Sequence, residues 1–391
     1  MPDLKTDTNQ SLVDLLREHG DLNDPRVNAA FSDVPREKFL PGVPLNQVYS
    51  DKPITVRYDM RGETLCNSNM PSMIAQMLSM LQLREGYNVL HIGTGTGYTA
   101  SLINHIIGNS GNITSLEIDR DITRTTADNM VRAGFASVHL VNMDGAEGYA
   151  PRAAYDRIVA SVGIWDMPLP WIRQLKPHGR IVAPIWLDGL QVGAAFSVEL
   201  DGTLYAEEMT PTTYIYIRGA AAGPSVQKSV GSTALRLISD DLSKLDTASL
   251  NMLLSSDDEK CYLSMPLDTE DYWYGFLPYV MLNESRNDIF AVYTISDGQQ
   301  AYGMDGEGFA LFTPASATFV PYYGAGFTHC FAGSDAFMEL ETLLADWHRA
   351  GKPTIKNLRL RLIPKSHGKP EIERGKLYER TNHYLHAWMD I

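Results

Sequence analysis

The run VLHIGTGTGY, residues 89–98, sets Gly93, Gly95 and Gly97 between an apolar strand and the start of a helix. Glycines in such a turn let the backbone pass close to a ligand, and the free amides of a helix N-terminus point at whatever lies in front of them. Two carboxylates follow at the ends of the next two strand-like runs. Glu117, in SLEID, is placed to accept both hydroxyls of a ribose, and Asp144, in NMDGAEG and followed by Gly145, is placed to accept from an adenine amino group. The run from Gly95 also fits a dinucleotide fingerprint, so these residues alone leave NAD and S-adenosylmethionine both open. Each has a plainer reading beside it: a strand-to-helix turn for the glycines, a solvated strand end for Glu117, and a turn residue for Asp144.

A second stretch of interest is GETLCNSNMPSMIAQMLSMLQL, residues 62–83. Its second half has Pro71 suited to a first helical turn, and Met73, Ile74, Met77, Leu78 and Leu81 at helical spacing. The small polar run CNSN before it has no period and reads as a loop, with Ser68 or Asn69 able to cap the helix. The three cysteines, Cys66, Cys261 and Cys330, match no zinc spacing, and no serine-histidine-acid arrangement competes. His383 and His386 read as a helical surface pair without a third ligand, so no metal is expected.

These residues need a scaffold, and from residue 87 the chain supplies alternating strand and helix runs: NVLHI, GYTASLINHII, NITSLEI, ITRTTADNMVRAG, ASVHLVNM, YDRIVAS, LPWIRQL and GRIVAPIW. Such alternation predicts a parallel, doubly wound α/β sheet covered on both faces. AAAGPS, after YIYIRG, reads as a linker. Beyond it CYLSMPL, DIFAVYTIS, QAYGM, FALFT and FVPYY predict a mainly antiparallel sheet, with Asp297-Gly298 as a hairpin turn. A helix capped by Ser334 and stopped by Gly351 and Pro353 follows, then NLRLRLIPK as a half-buried strand. The expected division is a domain over residues 1–220 and a C-terminal α+β domain over 225–391.

The formal net charge of -14 over 391 residues argues against nonspecific binding to nucleic acid or to an anionic membrane. No apolar run approaches the roughly 20 residues of a membrane span, and the N-terminus lacks an export signal, so a cytoplasmic location is expected. Partners should be small molecules or polypeptides. Between residues 352 and 380, Lys356, Arg359, Arg361, Lys365, Lys369, Arg374 and Lys376 outweigh the acids, which reads either as a solvated face or as a strip attracting an acidic peptide.

VPREKFLP, VLHIGTGTGY, NMDGAEGY, YDRIVASVGIWDMP and QLKPHGRIVAP occur in an order and spacing that resembles the protein L-isoaspartate O-methyltransferases over about residues 10–220. The resemblance implies a class I S-adenosylmethionine-dependent methyltransferase fold with a Rossmann-like sheet. It implies S-adenosylmethionine as cofactor, held by Gly93, Gly95, Gly97, Glu117, Asp144 and Gly145, and methyl transfer to an aspartyl or isoaspartyl carboxylate of a peptide. In that family a Thr-Ile-Ser-x-Pro loop precedes the helix, its serine beside the acceptor carboxylate. Counting back from Pro71 puts Asn69 at the serine's position and Ser68 one residue earlier, so both become candidate catalytic residues. His91 stands where the family has an acid associated with the cofactor's amino group; it is a candidate substitute, or a satisfied strand-end histidine.

The length beyond the shared region resembles the extended aspartyl methyltransferases of ribosomal peptide biosynthesis (lasso peptides, lanthipeptides, graspetides). There an aspartyl methyl ester leads to aspartimide, and the added domain would recognise the peptide. Isoaspartyl repair and a noncatalytic peptide-binding protein are the alternatives.

Overall fold

The computed structural model describes residues 8–60, 62–240, 242–256, 258–285, 287–323 and 326–391, so the first seven residues of the N-terminal reading lie outside it. The apolar runs at Asn88–Ile92, Asn112–Glu117, His139–Asn142, Tyr155–Ala160 and Leu175–Leu187 form parallel strands. In space their order is 139–142, 112–117, 88–92, 155–160, 175–187. The chain therefore builds outward in one direction through three strands and then returns to build in the other. The reversal falls between Asn88–Ile92 and Tyr155–Ala160, where a sheet of this kind opens a crevice at its carboxyl edge.

Leu175–Leu187 continues through Asp188 and Gly189, at φ of 40° and 97°, into the antiparallel strand Leu190–Val198. Positive φ at both central residues is the turn geometry that matches strand twist. One sheet face is covered by the helices Asn9–Glu18, Pro25–Asp33, Pro71–Leu81 and Tyr98–Ile107, which bury Leu12, Phe31, Ile74, Leu78 and Ile103 in one cluster. Each such aliphatic side chain contributes roughly 2 kcal/mol by leaving water.

Residues 225–391 do not close on themselves as expected. Leu358–Pro364 pairs with Leu204–Pro211, His383–Met389 pairs with Leu358–Pro364, and Lys376–Glu379 completes one continuous ten-stranded sheet. The reason is the open edge of Leu204–Pro211, whose backbone groups need a ladder, and an alternating strand whose apolar residues Leu358, Leu360 and Leu362 are fully buried. A single core runs from Leu90 and Ile158 of the parallel strands to Leu340, Leu344 and Trp347 of the helix Asp335–Arg349. A seven-stranded antiparallel sheet, built from residues 227–331, packs beyond that helix and has its own cluster around Tyr293 and Phe319.

Several local expectations change. CYLSMPL contributes only to the strand Glu259–Tyr262, and QAYGM makes only a bridge between Ala301 and Met304. Ser334 precedes its helix without a side-chain cap. His383 and His386 lie on a strand and are buried, not on a helical surface. Part of the basic strip is paired with acids: Lys365 with Glu379 at 2.8 Å and Arg374 with Asp390 at 3.0 Å at the surface, and Lys376 with the buried Asp188 at 2.6 Å.

Candidate active site

A cleft opens at the strand reversal. Its lining includes Ser68, Asn69, Gly93, Gly95, Glu117, Gly145, Ser161 and the segment 214–218. Gly93 has φ of 82°, and a Cβ there would fall 2.7 Å from Val162; a Cβ on Gly145 would fall 2.4 Å from Ile92. At both positions a side chain would collide with a neighbouring residue of the cleft wall, so only glycine fits. Gly97, at φ of 93°, serves as N-cap of Tyr98–Ile107 and packs against Thr126 and Met130; it shapes the turn and does not line the cleft.

Glu117 is 6% exposed, with Oε2 accepting from the Gly95 amide and Oε1 from the Asp119 amide, each at 3.1 Å. Burial pushes its carboxyl up, and the two amides oppose that shift. Each carboxylate oxygen retains a lone pair for a further donor, so the group both steadies the glycine turn and can accept ribose hydroxyls.

Two expected cofactor residues already have partners within the fold. His91 is fully buried, with Nδ1 2.8 Å from Ser115 Oγ and Nε2 2.9 Å from Ser161 Oγ. Burial pushes its imidazole down to about 3, so it is a neutral core group behind Ser161 and not a cleft-facing ligand. Asp144 accepts from the Ala146 amide at 2.9 Å and the Ala220 amide at 2.7 Å, outside the cleft lining. Its carboxylate ties the short turn Gly145–Glu147 to the end of the cleft wall, and each of its oxygens, like those of Glu117, keeps a lone pair for a further donor.

The CNSN segment is not a loop. Thr64–Ser68 is a strand paired with Ile54–Tyr58, and it buries alternate residues, Cys66 and Ser68, which are too small and polar to show as an apolar period. Neither Ser68 nor Asn69 caps Pro71–Leu81. The N-cap is Met70, and the Ser72 amide is instead satisfied by Asp51 Oδ1 at 2.9 Å.

What holds Ser68 and Asn69 is Arg36, the centre of VPREKFLP. Its Nε and Nη2 donate to Ser68 Oγ at 3.3 and 3.2 Å, and Nη2 also donates to the carbonyls of Ser68 and Asn69 at 3.1 and 2.8 Å. The side chain of Asn69 is 8% exposed, its Oδ1 has no hydrogen-bond partner, and the Tyr214 hydroxyl lies against the same amide.

Tyr214 hangs on Gln191, whose Oε1 accepts the Tyr214 amide at 2.6 Å, and the wall continues by a ladder between Gly163 and residues 215 and 217. Arg36, Tyr214, Ser161 and Arg218 escaped the sequence reading; VPREKFLP and YIYIRG were visible, but nothing in their spacing says that they meet. Among the described residues no group of His, Cys, Asp or Glu could hold a metal ion, and no helix is long and apolar enough to cross a membrane.

A parallel sheet reversing at a glycine turn, with a buried carboxylate at the end of the next strand, is shared by dinucleotide-binding enzymes and class I S-adenosylmethionine-dependent methyltransferases, and family membership places this chain among the latter. The chain belongs to the protein-L-isoaspartate(D-aspartate) O-methyltransferase family, whose model matches residues 7–222. Protein-L-isoaspartate O-methyltransferase 2 of Archaeoglobus fulgidus is 32% identical over 218 residues, which cover 56% of this chain and 96% of that protein. The enzyme of Thermotoga maritima is 36% identical over 177 residues, covering 45% of this chain and 55% of its own. A solved structure titled protein-L-isoaspartate O-methyltransferase aligns with 98% of this chain and 100% of its own at a TM-score of 0.53 and 22% identity. The fold beyond residue 222 is therefore shared with a protein of that title.

The chain is thus a carboxyl O-methyltransferase that uses S-adenosylmethionine. Gly93, Gly95, Gly145 and Glu117 line the cleft and are the residues that would hold this cofactor. When bound, it supplies an electrophilic sulfonium methyl group.

Proposed function

We propose that this enzyme methylates an aspartyl side-chain carboxylate of a peptide, in particular a ribosomally synthesised one, and that the ester goes on to aspartimide by attack of the next backbone nitrogen with loss of methanol. A carboxylate with pKa near 4 is ionised at neutral pH and needs no general base. The protein's task is to place one oxygen in line with the methyl carbon and to keep water out. Asn69 and Ser68 stand at the cleft for that purpose as neutral hydrogen-bonding groups.

The observation that carries this reading is Asn69. An amide standing where the family has its serine, against Tyr214, presents the acceptor with a bulkier polar surface than a hydroxyl does, which suits a carboxylate differently placed from that of an isoaspartyl residue. The extension fastens the cleft wall and adds surface for a larger peptide.

Isoaspartyl methylation in protein repair is the second reading. It is favoured by the names of the relatives and by the whole-length likeness, which removes the extension as an argument against it. Methyl transfer from labelled cofactor to matched peptides containing Asp or isoAsp separates the two. Turnover on Asp peptides with mass loss of water supports the first; label only on isoAsp peptides moves the assignment to repair.

A further inference from the structure

Arg36 is 0% exposed, yet it faces no carboxylate in ion-pair contact among the described residues. Its five donors are spread over the carbonyls of Val48 at 3.0 Å, Ser50 at 3.2 Å, Lys52 at 3.4 Å, Ser68 and Asn69, and over Ser68 Oγ. Burial lowers its guanidinium to about 10, which still leaves it charged at neutral pH. Asp51 acts on it only at a distance and is engaged with the Ser72 amide.

A charge buried without a counter-charge is costly, and it projects a positive potential into whatever low-dielectric space adjoins it. That space is the cleft, because two of its lining residues, Ser68 and Asn69, are the ones Arg36 holds. Ser68 Oγ accepts from Arg36 twice, so its lone pairs are occupied and the hydroxyl hydrogen is the function left to offer. A serine so arranged is a donor and cannot serve as an acceptor.

We infer that Arg36 is a specificity-determining and positioning residue: it is the buried counter-charge for the acceptor carboxylate, and it passes its polarity to that anion through the Ser68 hydroxyl. It touches neither reacting atom. It makes the cleft prefer an ionised carboxylate over an uncharged carboxamide of the same shape, and it leaves the carboxylate oxygen free to react, because no cation binds it directly.

This inference rests on the carboxylate-methylating reading. Its test is calorimetric binding, in the presence of S-adenosylhomocysteine, of short peptides carrying a free Asp or isoAsp carboxylate and of counterparts carrying the carboxamide there. The intact enzyme should prefer the acid by about tenfold or more. Arg36→Gln should bring that preference to within about threefold while leaving S-adenosylhomocysteine affinity near wild type, and Arg36→Lys, which keeps the charge, should retain most of it.

Survival of the full preference in a folded Arg36→Gln enzyme overturns the inference and leaves the functional reading standing. Absence of any preference in the wild type overturns both. Should Arg36→Gln not fold, Ser68→Ala decides: it leaves the five carbonyl acceptors in place, and a loss of preference of about threefold or more supports the relay, whereas an unchanged preference overturns it.

Discussion

Asp166 Oδ1 lies 2.7 Å from Nδ1 of His383, so the loop that leaves the fourth parallel strand at the cleft is fastened by the last strand of the chain. The same carboxylate accepts from the Met167 amide at 2.8 Å, and Arg380 stacks 3.8 Å over the Trp165 ring beside it. Ser161 and Val162, at the start of that loop, line the cleft. Asp166→Ala should lower stability by about 3 kcal/mol, since it strips buried donors of their acceptor. Urea unfolding measures it, and a midpoint within error of wild type would show that the contact fastens nothing.

Lys376 sits between two carboxylates, Asp188 at 2.6 Å and Glu284, so three buried groups carry at most one positive charge. Burial pushes the Glu284 carboxyl up to about 7, against the opposing pull of Lys376. A carboxyl raised in the folded state binds more protons folded than unfolded, so its contribution to stability falls as pH rises from about 4.5 to 7 and levels off above. The loss across that window should be about 3 kcal/mol. Glu284→Gln should flatten the profile between pH 5 and 8; an unaltered slope would assign the dependence to other groups.

The alternation of strands and helices, the glycine turn and the place of Glu117 at a strand end were all readable, because each depends on neighbours within one turn or strand. What was hidden depends on distance along the chain. Asp51 caps a helix 21 residues away, Arg36 grips a strand end 32 residues away, and Asp166 meets a histidine 217 residues away. Thr64–Ser68 was unreadable because the side chains it buries, Cys66 and Ser68, are small or polar and leave no apolar alternation. NLRLRLIPK was correctly an alternating strand, but alternation does not say which sheet edge a strand will join. The partners of Asp144 and His91 were hidden for a related reason: motif position says where a side chain starts, and Ala220 and Ser161 decide where it ends up.

Glu117→Gln keeps the size of the side chain but exchanges one acceptor oxygen for a donor that faces the Gly95 or Asp119 amide. Affinity for S-adenosylmethionine should fall by about tenfold or more, with the peptide's Michaelis constant little changed. Calorimetry with the cofactor alone checks it. Asp144→Ala should act more weakly and through the wall, because its carboxylate holds Ala220; an equal or larger loss would return Asp144 to direct cofactor contact.

Asn69→Ala removes the amide beside Tyr214 without touching the carbonyl that Arg36 holds. Turnover of peptide should drop by about tenfold while cofactor affinity stays near wild type. Tyr214→Phe should give a smaller drop in the same direction, since it frees the amide to rotate. Normal turnover in both variants would leave Ser68 as the sole candidate donor on this segment.

Deleting residues 225–391 tests what the extension does. Were it only a peptide-recognition module, the remaining chain would stay folded, bind S-adenosylmethionine and lose the peptide. The geometry leads to a different expectation. Removing it strips Leu358–Pro364 from Leu204–Pro211 and leaves an exposed ladder edge, and it uncovers the core face that Leu340, Leu344 and Trp347 bury. It also takes away Arg380 and His383, which hold the Trp165–Asp166 corner. The truncated chain should aggregate or melt far below the full chain, in the range where single large core losses of about 3 to 5 kcal/mol already exceed a third of a domain's stability. Light scattering and a thermal melt followed by circular dichroism decide it. A soluble, cooperatively melting truncation that binds the cofactor would mean that the shared sheet is an attachment and that residues 225–391 serve recognition alone.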